Sequence, residues 1–364
     1  MGKNKMTKEL LKDKNLQIIF GITLIGVMGV TSITPAFPKI QSAFDLTNQQ
    51  VGLLITFFSA PGIVISPISG ILADRYGRKT ILIPSLILFA IAGTACFFVT
   101  NFNTLLIARV LQGVGAAPLG ALNLTLIGDL FTKEKRNKAM GITSSILSIG
   151  TAIYPLIGGA LAIIGWNFPF LLPLTAIPIA LFVIFRLNNP EPLKNNDFNN
   201  YFSEAFNSMK NREVSILFLS SFIVFIMLFG GIFTYLPLLL NKRLGSDSLE
   251  IGILLTSMSV VAAIISFNIE KLTRKFDQRS LITFSFFTYS VSLLLIPFMQ
   301  STIMILIPTT FFAIGNGIFF PNIYTRLSDL SKLKYRALFM SVNGAILRTG
   351  QTMGSLVAGA FFLF

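Results

Sequence analysis

Two arginines stand where charge is costly. Arg109 and Arg348 each lie inside a long apolar run, and a guanidinium there needs water or a partner. The 15 acidic residues fall in loops or at the ends of apolar runs, Asp45, Asp74, Asp129, Glu134 and Glu270 among them. None stands mid-run to neutralise either arginine. The chain has no histidine, which removes histidine metal ligands, Ser-His and Cys-His nucleophile pairs and histidine proton relays. Its one cysteine, Cys96, sits in an apolar run as a packing residue, so no disulfide framework exists. What remains is the chemistry of fixed charge in a low dielectric: holding or moving a solute, not breaking bonds in one. Two unpaired arginines leave their surroundings positive, which favours an anionic or chelating ligand. No metal site and no cofactor are implied, and an enzyme reading lacks a nucleophile, a base or a metal cluster.

The elements that position these residues are membrane spans. The 364 residues are 53% hydrophobic and only 12% charged, about half the charged share of a soluble domain. Mean hydropathy is +0.74. Apolar runs of about twenty residues recur along the chain, as in a polytopic helical membrane protein. Spans are expected at roughly 15–37, 50–71, 80–99, 103–127, 138–163, 166–186, 214–239, 249–270, 280–298, 302–325 and 336–364. Of the 29 Lys and Arg residues, only Lys39, Lys242 and Arg243 fall in one set of loops. Arg109 and Arg348 lie within spans, and the rest fall in the tail and the opposite loops. That bias sets the basic loops and the N-terminus in the cytoplasm. It also accounts for the net charge of +14 with no nucleic-acid partner. The lysine-rich tail resembles a signal-peptide n-region, but the run behind it is too long and no cleavage site follows.

Residues 187–213 are the only long polar connection, with Asn188-Asn189-Pro190-Glu191-Pro192 and an Asn-rich stretch. They read as a cytoplasmic linker between an N-terminal bundle, 1–186, and a C-terminal bundle, 214–364. The two parts repeat at a shift of 200 residues. Val51-Gly52-Leu53-Leu54 matches Ile251-Gly252-Ile253-Leu254, Asp129-Leu130 matches Asp329-Leu330, and Gly150 and Gly159 match Gly350 and Gly359. This is a parallel internal repeat. The repeat calls for a twelfth span, so the second bundle is expected to be short by a helix, in a truncated chain or a fragment.

Three motifs sharpen the reading. Gly70-Ile71-Leu72-Ala73-Asp74-Arg75-Tyr76-Gly77-Arg78-Lys79 is a charged turn between two spans. Gly70 lets a neighbouring backbone come close, Gly77 supplies φ > 0, and Arg75, Arg78 and Lys79 hold the turn at the cytoplasmic surface. The fourth span carries Arg109-Val110-Leu111-Gln112-Gly113-Val114-Gly115-Ala116. The fifth carries Gly141, Gly150, Tyr154, Pro155, Gly158 and Gly159, whose small residues admit close helix packing while the proline loosens the helix.

The loop resembles the G-x-L-a-D-r-x-G-r-k signature of the major facilitator superfamily of transporters. The fourth-span motif is similar to that superfamily's R-x-x-q-G-x-g-a. The fifth is similar to the g-x8-G-x3-G-P-x2-G-G of its drug:proton antiporters, with Tyr154 in place of a glycine. The resemblance implies an all-α major facilitator fold of two pseudo-symmetric six-helix bundles that alternate access to one central site. It implies gating by Gly70, Asp74, Arg75, Gly77 and Arg78. Arg109 would face the cavity and take part in proton coupling, and Gly150, Pro155, Gly158 and Gly159 would form a packing hinge. Gln112, Arg348 and Asp129 join Arg109 as coupling or cavity candidates. Thr31, Ser32, Asn123, Tyr235, Asn316 and Asn322 are further cavity candidates. Small residues at Gly62, Ser66 and Gly70 and at Gly350, Gly354 and Ala358 suggest contact between the second and eleventh spans, and Ser259 and Ala263 suggest contact between the fifth and eighth. Asp74, close to the start of the eleventh span, would latch the cytoplasmic side shut. The expected function is proton-coupled efflux of small amphipathic compounds or drugs across the cell membrane by a monomer. The alternative is export of an endogenous metabolite or siderophore-like organic anion.

Overall fold

The computed structural model describes residues 9–131, 133–187, 210–331 and 336–361. The side chains of a few helical residues, Asp74 among them, lie outside the description, as does nearly all of the linker expected over 187–213. Among the described residues, ten helices are long and apolar enough to cross a membrane. They are α1 (Lys14–Phe44), α2 (Asn48–Tyr76), α3 (Arg78–Phe98), α4 (Phe102–Leu130), α5 (Lys133–Ile164), α6 (Phe168–Arg186), α7 (Arg212–Leu244), α8 (Ser248–Phe267), α9 (Gln278–Phe298) and α10 (Leu306–Leu330). An eleventh, α11 (Arg336–Phe361), has 26 residues, enough to span about 30 Å of hydrocarbon.

The acidic residues explain the helix starts. The Asp13 carboxylate accepts the amides of Asn15 and Leu16 at the head of α1. Thr47 and Gln50 form a reciprocal capping box on α2, and Asp247 and Glu250 form one on α8. Asp277 caps α9 by accepting from the Ser280 amide, and hydrogen bonding from the Ser280 hydroxyl, then from its amide, holds the carboxyl below the usual range. Each cap satisfies amides that a helix start leaves without partners.

The 200-residue repeat survives as hydrogen bonds. Asp45 at φ 51° and Gly245 at φ 69° close equivalent turns. Behind them Gln41 donates to the carbonyl of Leu46, and Asn241 to that of Ser246. The Ser66 hydroxyl donates to the Ala117 carbonyl at 2.7 Å, and Ser266 to Gly317 at 3.0 Å. Helix packing repeats too: α4 packs on α2 and α3 as α10 packs on α8 and α9, and α5 packs on α1 as α11 packs on α7. The halves meet along two seams, α5 on α8 and α2 on α11, both as expected. One element breaks the symmetry. Within α7, Met227–Tyr235 is a π-helix of 9 residues. Its Thr234 hydroxyl donates back five residues to Phe229 and lies 2.9 Å from the Ser355 hydroxyl on α11.

Candidate transport site

The two seams are closed at one end only. Thr56 on α2 donates to the carbonyl of Thr352 on α11 at 3.1 Å. Its symmetry mate Thr256 on α8 donates to the carbonyl of Ala152 on α5 at 2.6 Å. Thr352 also donates to Ser59 at 2.9 Å, and Ser259 to the carbonyl of Thr151 at 3.2 Å. Glycine brings the backbones together here. A Cβ on Gly252 would meet the Pro155 carbonyl, and one on Gly159 the Ser248 carbonyl. These residues lie in the halves of the helices away from the basic loops, and they form a seal of hydroxyls and backbone.

Toward the basic loops the seams part. Cβ atoms built on Gly70, Gly128, Gly141 and Gly344 would meet nothing within 4 Å. Ser144 and Ser145 on α5 are exposed, and Leu124 on α4 is 54% exposed. Gly70 therefore does not make the close approach expected of it, for no neighbouring atom comes within 4 Å of a Cβ built there. The result is a cleft closed at one end and open at the basic end.

Arg348 stands at the closed end of that cleft. From α11 it reaches across the seam to α2 and α4. A Cβ on Gly62 would collide with its Nη1, and one on Gly120 would lie 3.9 Å from Nη2. Nη2 donates to the Ala117 carbonyl at a long 3.4 Å. The side chain is half-buried, and among the described residues no salt bridge reaches it.

Arg109 lies elsewhere. It is 0% exposed, inside the first bundle between α4 and α2. Nε donates to the Leu54 carbonyl at 3.2 Å and Nη1 to Gln112 Oε1 at 2.6 Å. The guanidinium carbon sits 4.2 Å from the centre of the Phe58 ring. Arg109 and Gln112, expected at the cavity, are thus both buried inside the first bundle. Gly113 lets α2 come close enough to bury both, since a Cβ there would strike the Phe58 carbonyl. The six polar cavity candidates are buried as well. Thr31, Ser32 and Asn322 bond carbonyls of their own helices. Asn123 donates to Thr23, Tyr235 to the Ser355 carbonyl, and Asn316 accepts from Tyr289.

The charged turn behaves partly as expected. Gly77 has φ 95°, and its amide caps α2 by donating to Ala73. Arg75 is exposed and lies over the Tyr76 ring. Arg78 is buried rather than spread on the surface, with Nε 3.1 Å from Asp129 Oδ2 at the end of α4. Asp129 is therefore an ion-pair partner at the basic end. The latch expected of Asp74 rests on a side chain outside the described residues.

On α5 the glycines face two neighbours. Gly150 packs on Leu24 and Val27 of α1, Gly158 on the Ser32 carbonyl, and Gly159 on α8. The Pro155 carbonyl faces Gly252. On α11 the stripe Gly350, Gly354 and Ala358 packs on α7, at Phe222, Ile226 and Gly230, and not on α2 as expected. The residues sequence reasoning missed are Thr56, Ser59, Thr256 and Thr352. Their signal was present in the repeat, since Thr56 and Thr256 are 200 residues apart.

Comparison with known proteins agrees with this arrangement. The sequence profile of the Major Facilitator Superfamily matches residues 19–249 and 239–364. Multidrug resistance protein 1 of Bacillus subtilis (strain 168) is 26% identical over 355 residues, covering 96% of this chain and 90% of that protein. The Bacillibactin exporter of the same organism is 32% identical over 164 residues, 43% of this chain and 41% of the exporter. Among solved structures, a bacterial homolog of the human lysosomal transporter Spinster, in an inward-facing and unoccupied conformation, superposes with a TM-score of 0.80. It shares 22% identity and covers 97% of this chain and 82% of that one. With a profile match across both halves and the same duplicated helical fold, the chain belongs to the Major Facilitator Superfamily, a family of multi-pass membrane transporters.

Proposed function

We propose that this protein is a proton-driven exporter of small amphipathic molecules in the cell membrane, working as a monomer by alternating access. Its N-terminus and basic loops face the cytoplasm, following the Lys and Arg bias. The cleft then opens inward, as an exporter awaiting cargo would have it. Residues 1–186 and 214–364 act as the two moving bodies and 187–213 as their tether. The observation that carries the reading is the pair of seals related by symmetry, Thr56 to Thr352 and Thr256 to Ala152. Each seam adds a second hydroxyl hydrogen bond, Thr352 to Ser59 and Ser259 to Thr151, and at about 1 kcal/mol net per bond the polar part of the closed end can separate at modest cost. The fifth-helix glycines, with Gly158 and Gly159 on two different partners, and the likeness to Multidrug resistance protein 1 support export over uptake. A second reading, export of an endogenous organic anion, is favoured by Arg348 and by the partial likeness to the Bacillibactin exporter.

The test is transport in proteoliposomes with an imposed pH gradient and cationic, neutral and anionic fluorescent amphiphiles. Gradient-dependent movement of at least one class, abolished by a protonophore, is the expected result. If no class responds to the gradient, proton-driven export is wrong.

A further inference from the structure

The cleft has one charged residue at its closed end, and no described partner neutralises it. Just beyond Arg348 lies the seal of Thr352, Ser59 and Thr56. On its other side, toward the basic loops, are the open faces of Gly120, Leu124 and Gly128 on α4 and of Gly344 on α11. A guanidinium presents five N–H donors in a planar fork. Here one of them makes a long bond, to the Ala117 carbonyl at 3.4 Å. The flanking positions are glycines: Gly62 leaves room for Nη1, and Gly120 leaves open space beside Nη2. The repeat does not require the charge, because Ser148 occupies the equivalent place in the first half and bonds to its own helix. The other intramembrane arginine, Arg109, is held by Leu54, Gln112 and Phe58, and its one unpaired nitrogen, Nη2, is sealed inside the first bundle, so it adds no donor to the cleft.

We propose that Arg348 is the residue that recognises cargo: it binds the carboxylate of an amphipathic organic anion at the closed end of the cleft. The planar fork matches a carboxylate in two-point geometry. The low dielectric strengthens that pairing and disfavours a cationic cargo. The inference rests on the reading of the cleft as a transport site, and it names the class of molecule the cleft takes.

The test is equilibrium binding to the purified full-length chain in detergent, with dansyl-leucine and its methyl ester as probes and detergent alone as blank. The two probes differ in the carboxylate charge and in one methyl group, which would favour the ester in an apolar site. Wild type is expected to bind the carboxylate at least about tenfold more tightly than the ester. Arg348→Gln brings the ratio close to one, and Arg348→Lys, a point charge without the fork, keeps part of it. Gly120→Glu is the second variant, leaving Arg348 and its contact with α4 in place. It sets a carboxylate in the open space beside Nη2, and it too removes the preference. Equal binding of both probes by wild type, or a preference that survives Arg348→Gln and Gly120→Glu, overturns the proposal. No gradient is applied, so the result is independent of proton coupling. Intact carboxylate preference without gradient-driven transport would count against the export reading alone.

Discussion

A single intramembrane arginine can serve the fold or the cargo, and its partners decide which. Arg109 has a carbonyl, an amide oxygen and an aromatic face around it and is fully buried, so its charge is engaged in holding α2 to α4. Arg109→Lys keeps the charge but loses the fork, and an ammonium cannot reach Leu54 and Gln112 together. The expected cost is about 1–3 kcal/mol, read as a lower melting temperature in detergent; an unchanged melting temperature would contradict the structural role. Arg78 and Asp129 make a different case. With Asp129 one-third exposed, water screens the pair, and a double-mutant cycle with Arg78→Gln and Asp129→Asn is expected to return a coupling of no more than about 1 kcal/mol. A much larger coupling would mean that the pair is a main clamp on the turn.

At the scale of one helix, α5 shows how position along a seam sets the cost of a methyl group. Gly158 lies on the Ser32 carbonyl, Gly159 on the Ser248 carbonyl, and Gly141 on open space. Gly158→Val is expected to destabilise the protein by about 1–3 kcal/mol through overpacking. Gly141→Ala leaves the melting temperature unchanged or raises it, because alanine is the better helix former. Thermal unfolding of the two variants side by side checks both signs. Much of this helix was legible in advance, because small residues at close spacing in an apolar span have few uses besides packing. The face each one packs on was not. A helix that is apolar all round does not distinguish lipid from protein by its periodicity. For that reason the stripe on α11 turned out to face α7, and Arg109 to face its own bundle. Which polar residues of α1, α4, α7 and α10 are free to meet a solute was hidden for a related reason. Hydroxyls and amides in a span bond to carbonyls of their own or neighbouring helices, and sequence alone does not say which ones are already satisfied.

For the whole molecule, the duplication was readable to the residue, while the state of the machine was not, since one sequence encodes both ends of an alternating cycle. The coordinated pairs Thr56–Thr352 and Thr256–Ala152 make the state testable. In a Cys96→Ala background, Thr56→Cys with Thr352→Cys joined by a short thiol cross-linker should hold the closed end shut. Transport is then expected to stop and to return when the bridge is cleaved. The symmetry-related pair, Thr256→Cys with Ala152→Cys, should behave alike, because each seam must part for the cleft to open on the far side. A reporter cysteine from Leu124→Cys, on the exposed face of α4, should stay reactive to maleimide while either bridge is in place. If a bridged protein still transports, or if bridging shields the reporter, the two seams do not form one gate. A two-fold related pair of weak seals moving together would then give way to two independently flexing helices.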